Sequence, residues 1–351
     1  MILSIKNQLK VYKTETDLKE LLDEIKDNKK ILKGIDFSGN KFYPEALEIL
    51  FNELEDANLE HIHLSKIFTA LPPEEMIKGL EIILRNLNPQ IVKSFNMSEN
   101  ALGGLLTDKL FLFIEKTENL ERIQLNDCGL GKIGIEKLAA ALISMENKCL
   151  EYLDISQNRL TTGAEKLGEA LQHFACLETF KIQYNSVDRE TMEKLLSSIK
   201  NLTMLKTLDL RDNVISDKGC KLLGEILAES NINDLIIGDC LVTNEGIEIF
   251  INEALKKEEE RVLGGFNSEK TKFRLDISYN DIDQHGLNLL TEYAKSGHLE
   301  YLNITGNDFE DCQNLVGFMK EQKAVIIFEE EDEAPKVVGD ELIEKVEKMM
   351  K

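Results

Sequence analysis

The sequence predicts an α/β solenoid, a horseshoe of stacked strand–helix units with parallel strands on the concave side and helices on the convex side. Three observations carry this. One spacing of apolar residues and an asparagine recurs along the chain, and successive copies lie mostly 27 to 30 residues apart. Each copy opens with the period-two alternation of a half-buried strand and continues in the 3.6-residue period of an amphipathic helix. With 351 residues the chain exceeds one ordinary hydrophobic core, so it forms either two domains or one array.

The repeat is explicit. Leu150-x-x-Leu153-x-Ile155-x-x-Asn158-x-Leu160 fits L-x-x-L-x-L-x-x-N-x-L at every fixed position, as do the copies ending at Val187, Ile215 and Phe309. An earlier copy runs from Leu32 to Phe42, and weaker ones carry Ile67, Asn100, Cys128, Cys240 and Asn280 in the asparagine slot. This is the grammar of leucine-rich repeats, here about ten units of roughly 28 residues. One unit cannot bury its own apolar face, and stacking buries all of them together. The asparagine sits where the chain leaves the strand, so its amide can satisfy backbone groups stranded by the turn. Cysteine is a known variant of that slot, which gives Cys128 and Cys240 a structural reading.

In chain order, Ile2 to Val11 reads as a capping strand. Thr16 to Asp27 follows as an amphipathic helix with Leu18, Leu21, Leu22 and Ile25 on one side. Residues 1–30 therefore form an N-terminal cap and 31–328 the repeat array. Inside the array, Gly163–Leu171 and Gly219–Leu227 show helical spacing, and Thr162, Asp217 and Thr243 are expected N-caps. The period stretches at Leu71-Pro72-Pro73-Glu74-Glu75. It stretches again between Cys240 and Asn280, around Lys256–Arg261 and Gly264-Gly265, where insertions are expected to bulge as loops. Val325–Phe328 reads as the last strand. Residues 329–351 are an acidic tail, opening on Glu329–Glu333, with a short helix from Leu342 to Met349.

The formal net charge of −22 argues against a nucleic-acid surface, since phosphate is repelled. It suits a basic protein partner or plain solubility. The six cysteines (Cys128, Cys149, Cys176, Cys220, Cys240, Cys312) are scattered without a C-x-x-C pair, which fits reduced thiols better than zinc or a disulfide framework. The N-terminus has no long apolar h-region, and no run approaches a membrane span. A cytoplasmic monomer is expected, without membrane, metal or cofactor. Of the five histidines, only His61 and His63 are close, and they lack a third ligand. Phosphate-loop, zincin and nucleophile-elbow motifs are missing, so no catalytic chemistry of the chain's own is expected.

Outward strand positions predict an acidic strip with two tyrosines: Asp154, Gln183, Tyr184, Asp209, Arg211, Asp212, Asp276 and Tyr279. A merely solvated polar face is the competing account of the same residues.

Some segments carry a more specific likeness. Ser65-Lys66-Ile67-Phe68-Thr69 is similar to S-D-I-F-T, Asn126-Asp127-Cys128-Gly129-Leu130-Gly131 stands in the place of H-N-N-G-L-G, and Gly238-Asp239-Cys240-Leu241 is like N-D-C-L. These are motifs of the RanGAP family, the activators of the GTPase Ran, within the ribonuclease-inhibitor-like class. The resemblance runs from the N-terminal cap to about Phe309. It implies a Ran-type small GTPase as partner, regulation of its GTP hydrolysis, and a place in nucleocytoplasmic transport. It points to Ser65, Lys66, Leu71, Asn126, Asp127 and Asp239 on the strand-to-helix rim. The family's arginine after F-T falls at Leu71, beyond Ala70, and its rim asparagine falls at Asp127. An ionised carboxylate only accepts hydrogen bonds, so Asp127 cannot replace an amide donor. Both departures argue against full stimulation of hydrolysis. The alternative is a non-catalytic scaffold that uses the concave sheet and has no GTPase partner.

Overall fold

The computed structural model describes residues 1–263, 272–328 and 336–338. The chain divides into two compact units, Met1–Leu177 and Glu178–Lys351.

The first unit alternates short strands with helices: β1 (Ile2–Ser4), β2 (Val11–Tyr12), α1 (Glu15–Asn28), β3 (Gly34–Asp36), β4 (Lys41–Phe42), α2 (Pro44–Glu53), β5 (His61–His63), α3 (Pro73–Asn86), β6 (Ser94–Asn96), α4 (Gly103–Glu115), β7 (Arg122–Gln124), α5 (Gly131–Ser144), β8 (Tyr152–Asp154) and α6 (Ala164–Leu171). Its sheet has the order β1-β3-β5-β6-β7-β8, with every pair parallel, and β2 pairs with β4 apart from it. The central residues line up as Leu3, Ile35, Ile62, Phe95, Ile123 and Leu153, all of them buried.

The second unit contains β9 (Thr179–Lys181), α7 (Arg189–Ile199), β10 (Thr207–Asp209), α8 (Asp217–Glu229), β11 (Asp234–Ile236), α9 (Asn244–Leu263), β12 (Phe273–Asp276), α10 (Gln284–Ala294), β13 (Leu299–Asn303), α11 (Gln313–Glu321), β14 (Val325–Phe328) and β15 (Lys336–Val338). Strands β9 to β14 pair in chain order and parallel, and β15 turns back antiparallel on β14. The matching buried row is Phe180, Leu208, Leu235, Leu275, Leu302 and Ile326. Each such side chain contributes about 2 kcal/mol on burial. Three-residue strands hold because both neighbours share that row.

The helices turn their apolar stripe to the same core: Leu138 and Leu142 in α5, Leu167 and Leu171 in α6, Leu223 and Leu227 in α8 are buried. The asparagine slot does the work its chemistry suggests. In Asn158 the side-chain amide donates to the carbonyls of Leu125 (2.7 Å) and Ile155 (2.9 Å), while its oxygen accepts the N–H groups of Cys128 (3.0 Å) and Leu130 (3.1 Å). Asn100 and Asn280 repeat this four-way bridge in their own units. Cys128 and Cys240 keep the donation to the preceding strand, through Sγ–H to Met97 (3.3 Å) and Leu210 (3.4 Å). Burial pushes both thiols up to about 12, so they stay protonated and inert.

Several expectations are corrected in detail. Ile2–Val11 is not one strand: Asn7 and Leu9 adopt left-handed backbone (φ 57° and 56°), which breaks it into β1 and β2. Asp217 is the first residue of α8, and the cap is Ser216, whose hydroxyl accepts from Gly219 N–H at 3.1 Å. Thr162 lies within a 3₁₀ turn, Thr161–Gly163, ahead of α6. Thr243 does cap, accepting from Gly246 N–H at 3.3 Å. Neither stretched segment is simply a loop. Pro73 opens α3, where its missing N–H costs nothing. The Lys256–Arg261 run continues α9, since a Lys/Glu-rich sequence favours helix. Gly264-Gly265, Glu329–Glu333 and Leu342–Met349 lie outside the described residues.

Candidate partner-binding surfaces

In every described repeat the residue before the asparagine slot is left-handed. The first unit has Gly39 (φ 73°), Lys66 (58°), Glu99 (58°), Asp127 (50°) and Gln157 (57°); the second has Tyr184 (57°), Asp212 (51°), Asp239 (52°), Tyr279 (52°) and Gly306 (71°). The N–H of such a residue donates to the next repeat, for example Asp127 to Ser156 O (2.9 Å) and Asp239 to Ser278 O (2.8 Å). The backbone is thereby pinned and the side chain is thrown outward. Lys66, Glu99, Asp127, Tyr184, Asp212, Asp239 and Tyr279 are all exposed.

On the first unit this edge brings Lys66 to Glu99, Nζ to Oε2 at 3.0 Å, beside Asp127 on the following repeat. Ser65 and Asn126 are half-buried, and their N–H groups donate to Ser38 Oγ and Ser98 Oγ, each at 3.3 Å. Asp154 is half-buried and holds the Ser156 hydroxyl at 2.8 Å. Leu71 is the exception among the rim residues. It is only 7% exposed, folded under the edge after a turn in which Ala70 takes φ 54° and its carbonyl accepts from Lys41 Nζ at 3.2 Å. A buried side chain offers a partner no surface, so Leu71 is withdrawn as a contact. On the sheet face, burial lowers the His63 imidazole below its ordinary value, and its Nε2 lies 3.1 Å from Ser94 Oγ.

On the second unit Asp212 and Asp239 are exposed at the edge, with no ion-pair partner among the described residues, whereas Asp209 is not. Asp209 is fully buried beneath Arg211, which clamps it through Nε (3.1 Å) and Nη2 (2.8 Å), so the strip loses one accessible charge there. Gln183 is half-buried, with a buried Oε1 that has no hydrogen-bond partner among the described residues. Next to these residues the sheet face opens into a cavity of about 500 Å³, lined among others by Tyr184, Arg211, Asp234, Asp239, Arg274, Asp276, Tyr279 and Tyr301. The guanidinium of Arg274 lies 4.8 Å over the Tyr301 ring and 3.5 Å from Asp234. Burial pushes the Tyr301 phenol up to about 12, so it remains neutral. Asp234, Arg274 and Tyr301 were missed from sequence. The signal was present, because they occupy one register across three strands, outward beside Leu235, Leu275 and Leu302. Among the described residues no three His, Cys, Asp or Glu side chains gather as metal ligands, and no helix is long and apolar enough to cross a membrane.

This geometry has relatives. The family described as Leucine Rich repeat matches residues 146–168, 201–224 and 295–311. Human NACHT, LRR and PYD domains-containing protein 14 is 28% identical over 305 residues, 81% of this chain but only 25% of that protein. Ran GTPase-activating protein 1 of Saccharomyces cerevisiae is 25% identical over 331 residues, 88% of this chain and 78% of that protein. Pig ribonuclease inhibitor is 27% identical over 209 residues, 57% and 42% respectively. The chain carries leucine-rich repeats and resembles ribonuclease-inhibitor-like proteins. The candidate surfaces of this repeat protein are the left-handed edge of each unit and the cavity on the sheet face of the second.

Proposed function

We propose that this leucine-rich-repeat protein binds a Ran-type small GTPase through the edge of its first unit, without supplying a full set of activating groups. The observation that carries the reading is the run of exposed side chains at Lys66, Glu99 and Asp127, within segments that resemble the RanGAP motifs. Similarity over 78% of the length of Ran GTPase-activating protein 1 supports it. The two departures set its limit. Leu71, in the place of the family's arginine, is buried, and Asp127 brings a negative charge where an amide would donate. A positioned donor aimed at transition-state charge is worth about 3 kcal/mol, a rate factor of roughly a hundred or more. The regulator proposed here therefore engages the GTPase and accelerates hydrolysis weakly.

The test is to mix the purified chain with a GTP-loaded Ran-type GTPase and follow both binding and phosphate release. The expected result is saturable binding that Lys66→Glu weakens, slow hydrolysis in the parent chain, and faster hydrolysis with Asp127→Asn. Absence of any binding ends this reading.

A second reading is favoured by the cavity on the second unit: a scaffold that holds a protein partner on its sheet face. A partner whose capture depends on Tyr279 and not on Lys66 would select it.

A further inference from the structure

We propose that the cavity on the sheet face of the second unit receives one arginine side chain of a protein partner, its guanidinium against the ring of Tyr279 and the carboxylates of Asp239 and Asp276. This rests on the sheet-face reading and deepens it by naming what the cavity recognises.

Charge accounting within the cavity comes first. Its two cations are already matched: Arg211 is clamped on buried Asp209, and Arg274 lies by Asp234 and over the Tyr301 ring. Two carboxylates remain. Among the described residues the Asp276 carboxylate accepts hydrogen bonds only from Ser278, through its N–H (3.0 Å) and hydroxyl (2.6 Å), and feels Arg211 at longer range, while the Asp239 carboxylate has no hydrogen-bond or ion-pair partner. The unmatched charge is negative, so the cavity favours a cation over the anion that two arginines would suggest by themselves.

The walls then choose among cations. Tyr279, in the repeat next to that of Asp239, is 56% exposed, and its pinned left-handed backbone holds it outward. A guanidinium stacks on aromatic faces and pairs with carboxylates through a planar fork, whereas an ammonium does neither as well. Two glycines shape the space. A Cβ on Gly306 would collide with the Tyr279 ring, so this glycine forms the flat seat on which that ring lies. A Cβ on Gly238 would stand 2.8 Å from Ser278 Oγ and 3.4 Å from Asp276 Oδ1, closing the approach to that carboxylate.

The experiment titrates the full chain, with its tyrosine rings isotopically labelled, against N-acetylarginine amide, N-acetyllysine amide and N-acetylcitrulline amide. The arginine probe is expected to shift the Tyr279 ring resonances saturably, in the millimolar range suited to one contact. The lysine probe binds more weakly, and citrulline, which has the same shape without the charge, leaves the ring unmoved. Asp239→Asn with Asp276→Asn weakens arginine binding by about tenfold or more. Gly306→Ala, which unseats Tyr279 while keeping every charge, also weakens it. Citrulline binding as strongly as arginine overturns the inference and leaves the sheet-face reading standing. Silence of the Tyr279 ring towards all three probes also overturns it, whereas the sheet-face reading falls only if no partner is captured through Tyr279.

Discussion

Ala70 occupies left-handed backbone (φ 54°) at the turn that buries Leu71. A Cβ in that conformation costs about 1–2 kcal/mol, partly offset by the extra freedom glycine has when unfolded. Ala70→Gly is therefore expected to stabilise the chain by about 0.5 kcal/mol, read as a raised urea midpoint at unchanged slope. Leu71→Arg restores the family's residue and carries the opposite risk, because a guanidinium would enter a closed slot. Glu60 supplies a pH prediction. The ammonium of Lys33 (2.7 Å) and that of Lys93 (3.1 Å) hold its carboxylate, depressing its pKa from 4.5 to about 2. Its contribution is complete above pH 4.5 and is lost as pH falls from there towards 2. Glu60→Gln should flatten that part of the acid-stability curve in denaturant titrations across the same window. At this scale the sequence reveals which face a residue occupies but not what covers it. Asp209 and Asp212 read alike as outward acids, yet Arg211 roofs only the first.

Among elements, the asparagine ladder is the part most exposed to a single change. Asn158→Ala strips partners from the N–H groups of Cys128 and Leu130 and from two carbonyls, all buried. Unsatisfied buried groups cost about 1–3 kcal/mol each, so a loss of about 3 kcal/mol or more is expected by urea denaturation. Strands and helices were legible because period two and period 3.6 alternate in register with the asparagines. The caps were less so. Ser216 and Asp217 are both good cap residues, and only the extended backbone at Ser216 (φ −86°, ψ 171°) decides between them. The α9 run through Lys256–Arg261 misled for another reason: extra length in a repeat can lengthen a helix as readily as form a loop. The cavity was half-legible. Asp276 follows from alternation within a strand and Tyr279 from its place before the asparagine slot, but Arg274 over Tyr301 requires the register between strands.

For the whole molecule, the net charge of −22 is a condition on every encounter. It speeds association with basic partners and fades with salt, so binding through Asp239 and Asp276 should weaken as ionic strength rises. The repeated strand also carries a hazard. Every pairing from β9 to β14 runs parallel, a pattern that another chain could prolong, and β1 has an outer edge with no strand beside it among the described residues. Strand β15 meets this by lying reversed along β14, with Val337 opposite Ile327. Val337→Pro should unpair that strand, and sedimentation should then show concentration-dependent oligomers absent from the parent. Head-to-tail polymerisation would need a newcomer to dock in the same direction as its predecessors. Strand β15 already fills that berth facing the wrong way, and so denies a parallel newcomer its template on β14.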